Sequence, residues 1–364
     1  MRGEERQQRS MLMVLNLEQR IPKEHPLRRI KQLAETVLQG LSPGFDRMYS
    51  ATGRPSIPPE RLLKASLLMA LYTVRSERLL CEELDYNLLF RWFLDMELDE
   101  ASFDHSSFSA NRKRLLEHAV AGEFFRGVVE QARALKLLSG EHFTVDGTLI
   151  EAWASLKSFQ RKGAKSSNHS DDDPGNPGVN FHGERRSNET HQSTTDPEAL
   201  LARKGKGKEA KLYYSANALA ENRNFLLVDF QVEPADGKAE RRAAEAMADE
   251  RLAGSGRITL AGDKGYDTHG FVASCRALKI TPHVAQNEAR PGGSALDART
   301  TRHPGYAVSQ WMRKRIEEGF GWMKTIGGLR KTRYRGRARV QMHAYLVGAA
   351  YNLLRIARLL AAPA

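Results

Sequence analysis

Three carboxylates in this 364-residue sequence are placed where they could do chemistry together. Asp146 lies inside a segment with strand character, directly before Gly147, and Asp263 follows the short apolar run 258–262. Glu317 lies on a predicted helix further along the chain. Carboxylate oxygens are the ligands that Mg²⁺ prefers, and two such ions can flank a phosphate and stabilise the entering and leaving oxygens. Three converging acids would therefore suit metal-dependent chemistry on a phosphodiester.

Each of these acids also has an ordinary explanation. An Asp beside a Gly at the end of a strand is typical of a turn, and an isolated Glu on a helix is usually exposed to solvent. Asp146 and Asp263 are therefore weak candidates when either is taken alone. The combination is more specific, because all three acids occur in one order of predicted strands and helices.

The helix that carries Glu317 also has cations on the same face. At about 100° per residue, Arg313 lies roughly 40° from Glu317 and Lys324 roughly 20°, so the three side chains share one side. Gln310 lies on that side too. A carboxylate for a metal ion, flanked by two cations for phosphates, suits chemistry on nucleic acid. The alternative is a charged stripe that faces solvent.

A segment rich in cations follows this helix. Between Gly321 and Val340 there is no acid, and the seven cations are Lys324, Arg330, Lys331, Arg333, Arg335, Arg337 and Arg339. We expect these side chains to neutralise phosphates and Tyr334 to stack on a base. A flexible, solvated loop is the alternative. The position directly after Glu317 favours contact with DNA.

The composition favours the same class of partner. Lys and Arg total 56 against 44 Asp and Glu, which gives a net charge of +12 and a pI near 9.7. This balance favours a polyanionic partner, either nucleic acid or an anionic membrane surface, and a generally soluble basic protein is the alternative. Two cysteines exclude a disulfide scaffold and a Cys-rich zinc module. The longest apolar runs, 65–74 and 344–354, are about half of a membrane-spanning helix, so we expect a cytoplasmic protein without a membrane segment.

The predicted elements divide the chain into two parts. Residues 1–138 form an all-helical domain in this interpretation, and 139–364 form an α/β domain. Within the second part, the polar stretch 155–211 is predicted to be loop or partly disordered. The predicted strands are 142–150, 211–219, 224–232, 257–263 and 280–284, and the predicted helices are 238–253, 270–278, 308–323 and 342–360.

This order of elements indicates a ribonuclease H-like core. The first three strands are expected to be antiparallel neighbours, and the later strands alternate with helices, which implies parallel crossovers. The result would be a mixed sheet flanked by helices. In that fold, the strand with Asp146 and the strand before Asp263 are neighbours in the middle of the sheet. Their acids would meet at one edge, and the later helix would bring Glu317 to them.

At these residues the sequence resembles the DDE transposases of bacterial insertion sequences, in the insertion-sequence-five group. The segments Thr144-Val-Asp-Gly-Thr-Leu149 and Gly262-Asp-Lys-Gly-Tyr-Asp267 resemble those that bear the first and second catalytic Asp. Arg313, Glu317 and Lys324 match the Arg-x3-Glu-x6-Lys part of the family's Tyr-Arg-Glu-Lys signature. The signature's Tyr falls on Gln310. Weaker matches occur at 45–49, 53–55, 81–84 and 90–93, so the resemblance covers nearly the whole chain.

The resemblance implies a reaction and its participants. Asp146, Asp263 and Glu317 would be catalytic and would hold two Mg²⁺ ions, with Mn²⁺ as a substitute. Hydrolysis would expose the 3′ ends of the element, which would then attack target DNA directly, without a covalent enzyme intermediate. The partners would be double-stranded DNA, as terminal inverted repeats and as target, and a second copy of the chain in a homodimer. The protein would work in the bacterial nucleoid.

The resemblance also implies roles for the cations and for the first domain. Arg313 and Lys324 would position phosphates near the scissile bond, and the helical domain would read or hold the inverted repeats. The predicted DNA contacts are Arg313, Lys324, Arg330, Lys331, Arg333, Arg335 and Arg337.

Two other functions use the same residues. A transposase-derived protein could keep the fold and bind DNA without cutting it, although the presence of all three acids argues against that. A metal-dependent nuclease would need the same acids and would differ only in lacking strand transfer. Analysis of the DNA products would separate these functions, because only a transposase joins DNA.

Overall fold

In the computed structural model, the described residues are 15–50, 52–53, 56–163, 186–205, 207–254, 256–289 and 291–361. Helices occupy the first part of the chain up to residue 134. They are α1 (Leu17–Arg20), α2 (Pro26–Asp46), α3 (Pro59–Leu71), α4 (Glu77–Tyr86), α5 (Leu88–Phe93), α6 (His105–Glu117) and α7 (Val120–Ala134). The prediction of an all-helical first part is confirmed for the residues described.

Local sequence explains where several of these helices begin. The side chains of Ser76 and Asp104 accept hydrogen bonds from backbone N–H groups in the first turns of α4 and α6. Pro26 and Pro59 stand in the first turns of α2 and α3, where a missing N–H costs nothing. These caps satisfy backbone donors that a helix cannot satisfy internally.

The second part is built on one mixed sheet. Its strands are β1 (His142–Glu151), β4 (Leu200–Arg203), β5 (Ala210–Glu221), β6 (Leu227–Pro234), β7 (Ile258–Gly262) and β8 (Ile280–Val284), and a separate hairpin is formed by β2 (Phe159–Arg161) and β3 (His191–Ser193). The main order is β4-β5-β1-β7-β8, and β6 pairs with β5. β1 is antiparallel to β5 and parallel to β7, and β7 is parallel to β8. This topology confirms the predicted ribonuclease H-like sheet.

Helices cover both faces of the sheet. They are α8 (Ala239–Leu252), α9 (His269–Ala277), α10 (Ala298–Arg302), α11 (Pro304–Met312), α12 (Ile316–Thr325) and α13 (Arg337–Leu359). Along β1, Phe143 and Val145 pack in a core with α8 and α9, whereas Ile150 packs in the core that contains α12 and α13. Successive strand residues point to opposite faces, so β1 separates two apolar layers. None of the described helices is both long and apolar enough to cross a membrane.

The last described helix joins the two parts of the chain. α13 packs against α2, α3 and α7 and also against β6. Its buried Asn352 accepts a hydrogen bond from Leu227 N–H and donates one to the Leu227 carbonyl, at 2.9 and 2.8 Å. These side-chain bonds satisfy the backbone of β6 where no further strand pairs with it. The helical part and the sheet therefore share one apolar core.

Two expectations about local structure are wrong. The polar stretch 155–211 is not a simple loop where it is described, because β2, β3 and β4 lie within it. Buried polar contacts hold it, including a 2.8 Å hydrogen bond between the hydroxyls of Ser158 and Ser193. Residues 164–185 of that stretch lie outside the described residues. The helix predicted over 308–323 is α11 and α12, separated by a 3₁₀ turn at Arg313–Arg315.

Candidate active site

The register of the central strands brings Asp146 and Asp263 together. β1 and β7 are parallel, with Thr144 opposite Ala261. Each Asp lies two residues beyond its member of that pair, Asp146 within β1 and Asp263 just after β7, so the two acids lie at the same level of neighbouring strands. Adjacent strands lie about 4.8 Å apart. The predicted meeting of the first two acids follows directly from this register.

The local environment of Asp146 opposes its ionisation. Burial raises the pKa of this carboxyl to about 7, against the effect of the Gly147 N–H, which donates to Asp146 Oδ1 at 2.8 Å. The negative charges of Asp263, Glu240 and Glu317 raise it further. A buried acid among other acids is costly to ionise, and a nearby cation would relieve that cost.

Asp263 is fixed by a tight turn after β7. Its Oδ1 accepts a hydrogen bond from Gly265 N–H at 2.7 Å and so caps the 3₁₀ turn Lys264–Tyr266. A Cβ at position 265 would lie 2.9 Å from that oxygen, which explains the glycine in this motif. The following residue, Tyr266, is fully buried beneath the turn.

α12 places one anion and one cation near Asp146. Glu317 lies in the first turn of this helix with an exposed side chain, and its charge reaches Asp146. Lys324 lies in the last turn and donates a hydrogen bond to the Thr148 hydroxyl on β1. α12 thus holds Glu317 and Lys324 near the strand that carries Asp146, and the roles of these residues stay predictions.

Arg313 and Gln310 are held differently from the prediction. Arg313 lies in the 3₁₀ turn, and its Nε donates to Gln310 Oε1 at 2.9 Å. Gln310 in turn donates to the backbone carbonyl of His283 on β8. Gln310, which occupies the position of the signature's Tyr, thus connects the 3₁₀ turn to the sheet. The regular helical face assumed from the sequence is interrupted between Arg313 and Glu317.

The basic segment, residues 321–340, is attached to the far end of β1. Glu151, the last residue of β1, donates its N–H to the Arg330 carbonyl at 3.1 Å and accepts from Thr332 N–H at 2.8 Å. The segment thereby borders a cavity of about 540 Å³ between the N-terminal helices and α13. None of the described residues that line this cavity is acidic, and its cations are Arg75, Arg112, Lys324, Arg330, Lys331 and Arg333.

The predicted DNA contacts in this segment differ in availability. Arg330 and Arg335 are exposed. Lys331 pairs with Glu151 at 3.2 Å and Arg337 with Glu233 at 3.4 Å, which partly neutralises both cations. Arg333 donates to the Arg75 carbonyl at 2.7 Å and so joins the segment to the N-terminal part.

The prediction that Tyr334 stacks on a base is wrong. Only 9% of this residue is exposed. The guanidinium of Arg112 lies 4.9 Å from its ring centroid, and His343 contacts the ring at a centroid distance of 5.2 Å. Tyr334 is therefore part of the core between the basic segment and α13.

The three predicted acids supply the type of donor that a divalent cation binds, but they are not clustered around one point in the described residues. Across the described ranges, no three Asp, Glu, His or Cys side chains are grouped tightly enough to hold a metal ion between them. Asp146, Asp263 and Glu317 nevertheless supply the oxygen donors that Mg²⁺ prefers, and their charges converge at one edge of the sheet. A fourth acid, Glu240, was not predicted from the sequence and lies against Gly147.

Comparison with known families agrees with this geometry. The family described as "Transposase domain (DUF772)" matches residues 15–114, and the family described as "Transposase DDE domain" matches residues 189–353, which include Asp263, Glu317 and Lys324. The chain belongs to the DDE transposases. The two matches together span most of the transposase but leave out residues 115–188, which include α7 and β1 with Asp146.

Solved transposases give a weaker comparison. The transposase is similar to the "Mos1 transposase paired-end complex with left transposon end" at 11% identity, over 77% of this chain and 79% of that chain, with a TM-score of 0.19. It is similar to the "Mos1 mariner paired end complex with Mn" at 13% identity, over 89% and 84%, with a TM-score of 0.20. The fold assignment rests on the order and directions of the strands. No curated protein matches the chain.

Proposed function

We propose that this transposase cuts DNA at the ends of its insertion sequence and joins the 3′ ends to target DNA by two-metal-ion phosphoryl transfer. The supporting observation is the convergence of Asp146, Asp263 and Glu317 at one sheet edge, with Lys324 beside them. Asp146, Asp263 and Glu317 would hold two Mg²⁺ ions, or Mn²⁺ in their place. When bound, such ions activate the attacking oxygen and stabilise the leaving oxygen.

Both steps are balanced displacements at phosphorus. In the first, a water oxygen bonds to phosphorus and the 3′ oxygen leaves as a hydroxyl, having taken a proton. In the second, that 3′ hydroxyl attacks a phosphodiester of the target and loses its proton, while the target's 3′ oxygen leaves and takes up a proton as a hydroxyl. Lys324 would pair with a phosphate oxygen of the reacting group. Because each step forms one P–O bond and breaks one, no external energy source is needed.

The DNA would follow the cations that surround the site. Phosphates would contact the predicted residues of the basic segment together with Lys324 and Arg313, and the helical domain 1–138 would hold the terminal inverted repeats next to the catalytic domain 139–364. The net charge of +12 supports a polyanionic partner. A homodimer on two paired ends, in the bacterial nucleoid, completes the proposal.

A labelled DNA fragment that carries the element's own ends tests the proposal. Cutting is compared in Mg²⁺ and in EDTA, and wild type is compared with Asp263→Asn and Glu317→Gln. Glu318→Gln is the matched control, because it removes an exposed charge from the next position of α12. We expect Mg²⁺-dependent cuts at the repeat boundaries, lost in the two site variants and kept in the control.

The products decide between the proposal and its alternatives. Joined DNA supports transposition, whereas nicks without joining indicate a nuclease. Binding without any cut by the wild-type protein indicates a catalytically silent DNA-binding protein. Full cutting by Asp263→Asn would refute the assignment of the acids.

A further inference from the structure

A fourth carboxylate reaches the catalytic edge from the other face of the sheet. Glu240 is the second residue of α8, which packs on the face opposite to α12. A Cβ at Gly147 would lie 2.4 Å from Glu240 Cγ and 2.7 Å from its Oε1. The carboxylate of Glu240 therefore fills the space that the missing side chain of Gly147 leaves, next to Asp146.

The position of Glu240 is not that of an ordinary surface acid. The side chain is partly buried, and its charge acts on both Asp146 and Asp263. The neighbouring Arg241 donates to the Gly265 carbonyl at 3.0 Å, and its positive charge offsets part of the effect of Asp263 on Glu240. Partly burying a carboxylate against other carboxylates is unfavourable unless a cation offsets it. Glu240 and Glu317 thus approach the same two Asp residues from opposite faces.

A buried hydroxyl at the same place lacks a partner. Tyr266 is fully buried, and its hydroxyl has no hydrogen-bond partner among the described residues. The charges of Glu240, Asp146 and Asp263 all reach this hydroxyl. Buried polar groups without a partner are rare in folded proteins. The Tyr266 hydroxyl is a donor for which a carboxylate oxygen, or a water on a bound cation, would be the acceptor.

We infer that Glu240 is a fourth carboxylate of the divalent-cation site, contributed by α8 across Gly147, and that Tyr266 is the positioning residue beneath it. This inference rests on the proposed function, because it assumes that the edge binds Mg²⁺ or Mn²⁺. It adds a ligand that the Asp-Asp-Glu motif does not include. It also gives a reason for the glycine directly after the first catalytic Asp.

Binding of Mn²⁺ tests the inference without any turnover. The full chain is titrated with Mn²⁺ alone, and the signal of free Mn²⁺ is followed by electron paramagnetic resonance. We expect Glu240→Gln to weaken Mn²⁺ binding about tenfold or more, as is common when an acid that supports a metal site is lost. Asp249→Asn, which removes an exposed acid from the other end of α8, is the control and should bind as wild type does.

Tyr266→Phe separates positioning from structural support. The variant removes only a hydroxyl that bonds to no described residue, so the melting temperature should not fall. Mn²⁺ binding should weaken by less than in Glu240→Gln. A fall in melting temperature with unchanged Mn²⁺ binding would show that Tyr266 only supports the fold.

Two further variants distinguish failure of the inference about Glu240 from failure of the proposed function. If Asp263→Asn weakens Mn²⁺ binding but Glu240→Gln does not, the inference is overturned and the proposed function stands. If neither variant changes Mn²⁺ binding, or the wild type binds no Mn²⁺, both the inference and the proposed function fail.

Gly147→Ala should displace Glu240 and so weaken Mn²⁺ binding when it is made in the wild-type protein. When it is made in the Glu240→Gln protein, it should cause little further loss of Mn²⁺ binding. Fully additive losses would contradict the contact as the cause.

Discussion

Lys324 on α12 donates a hydrogen bond to the hydroxyl of Thr148, two residues beyond Asp146 on β1. The contact joins the two elements that carry the first and third acids. Burial lowers the pKa of Lys324, as do Lys204 and Arg330, whereas Asp146 opposes the shift. A lysine held in this way presents a cation beside the buried acid without needing to be ordered by DNA first.

Replacing this lysine should slow DNA cutting more than it weakens DNA binding. We expect Lys324→Met to reduce the rate of end cutting by about 10²-fold, as is typical when a fixed donor to a reacting group is removed. Thr148→Val keeps the charge and removes only its anchor, so its effect should be smaller. The rate is measured with DNA in excess over its dissociation constant. Equal rates for Lys324→Met and wild type would contradict the role.

The salt dependence of DNA binding should report the exposed cations. Arg330→Ala should weaken binding and reduce the slope of log K against log salt by about 1, because one phosphate contact is lost. Arg133→Ala is the control, since Arg133 is already paired with Glu130 at 2.7 Å. Its slope should match that of wild type. A wild-type slope for Arg330→Ala would place this residue outside the DNA path.

Asp146 should make the metal-free protein less stable as the pH rises. Its pKa is raised in the folded state to about 7, from an ordinary value of 3.8, so the folded state binds more protons between these values and loses stability as the pH rises through them. In EDTA, Asp146→Asn should therefore raise the melting temperature more at pH 8 than at pH 5, by roughly 2 °C or more. An equal gain at both pH values would show that the acid ionises freely.

Two buried histidines should act in the opposite direction. Burial lowers the pKa of His343 to about 3 and that of His283 to about 4. The unfolded chain binds protons below pH 6.5 and the folded chain does not, so stability falls as the pH drops below 6.5. The loss approaches about 1.4 kcal/mol per pH unit for each histidine. His343→Gln should reduce the fall in melting temperature between pH 6.5 and 5. If the melting temperature falls with pH as steeply as in wild type, the lowered pKa of His343 does not cause the loss.

The sheet and the placement of four candidate site residues could be predicted because each depends on local pattern. Alternating or continuous apolar runs marked β1, β7 and β8, and parallel pairing then fixed where Asp146 and Asp263 meet. The helical repeat placed Glu317 and Lys324 on one side. The 3₁₀ turn before Glu317 could not be read from that repeat, because tertiary contacts such as the bond from Gln310 to the sheet hold it.

The missed features depend on contacts between distant segments. Glu240 lies in a helix with many charged residues, where one acid is not distinguished from those that face solvent. The signal that could have found it is Gly147, since a glycine inside a strand often marks the close approach of another group. Tyr334 was misread because its cationic neighbours in sequence suggested an exposed loop. Two residues that cover its ring are Arg112, which is far from it along the chain, and His343, which lies on the next helix, α13.

The position of α13 in the shared core has a consequence for synthesis on the ribosome. The chain makes α2, α3 and α7 first, then the whole sheet, and only then the helix that completes their core. At about 5–20 residues per second, the early helices wait on the order of 10–40 s for that partner. A nascent or truncated chain would expose their apolar faces and lack the anchor of β6. α12, which carries Glu317, packs against α13 in that core, so we expect α12 to be held in place only after α13 has been made.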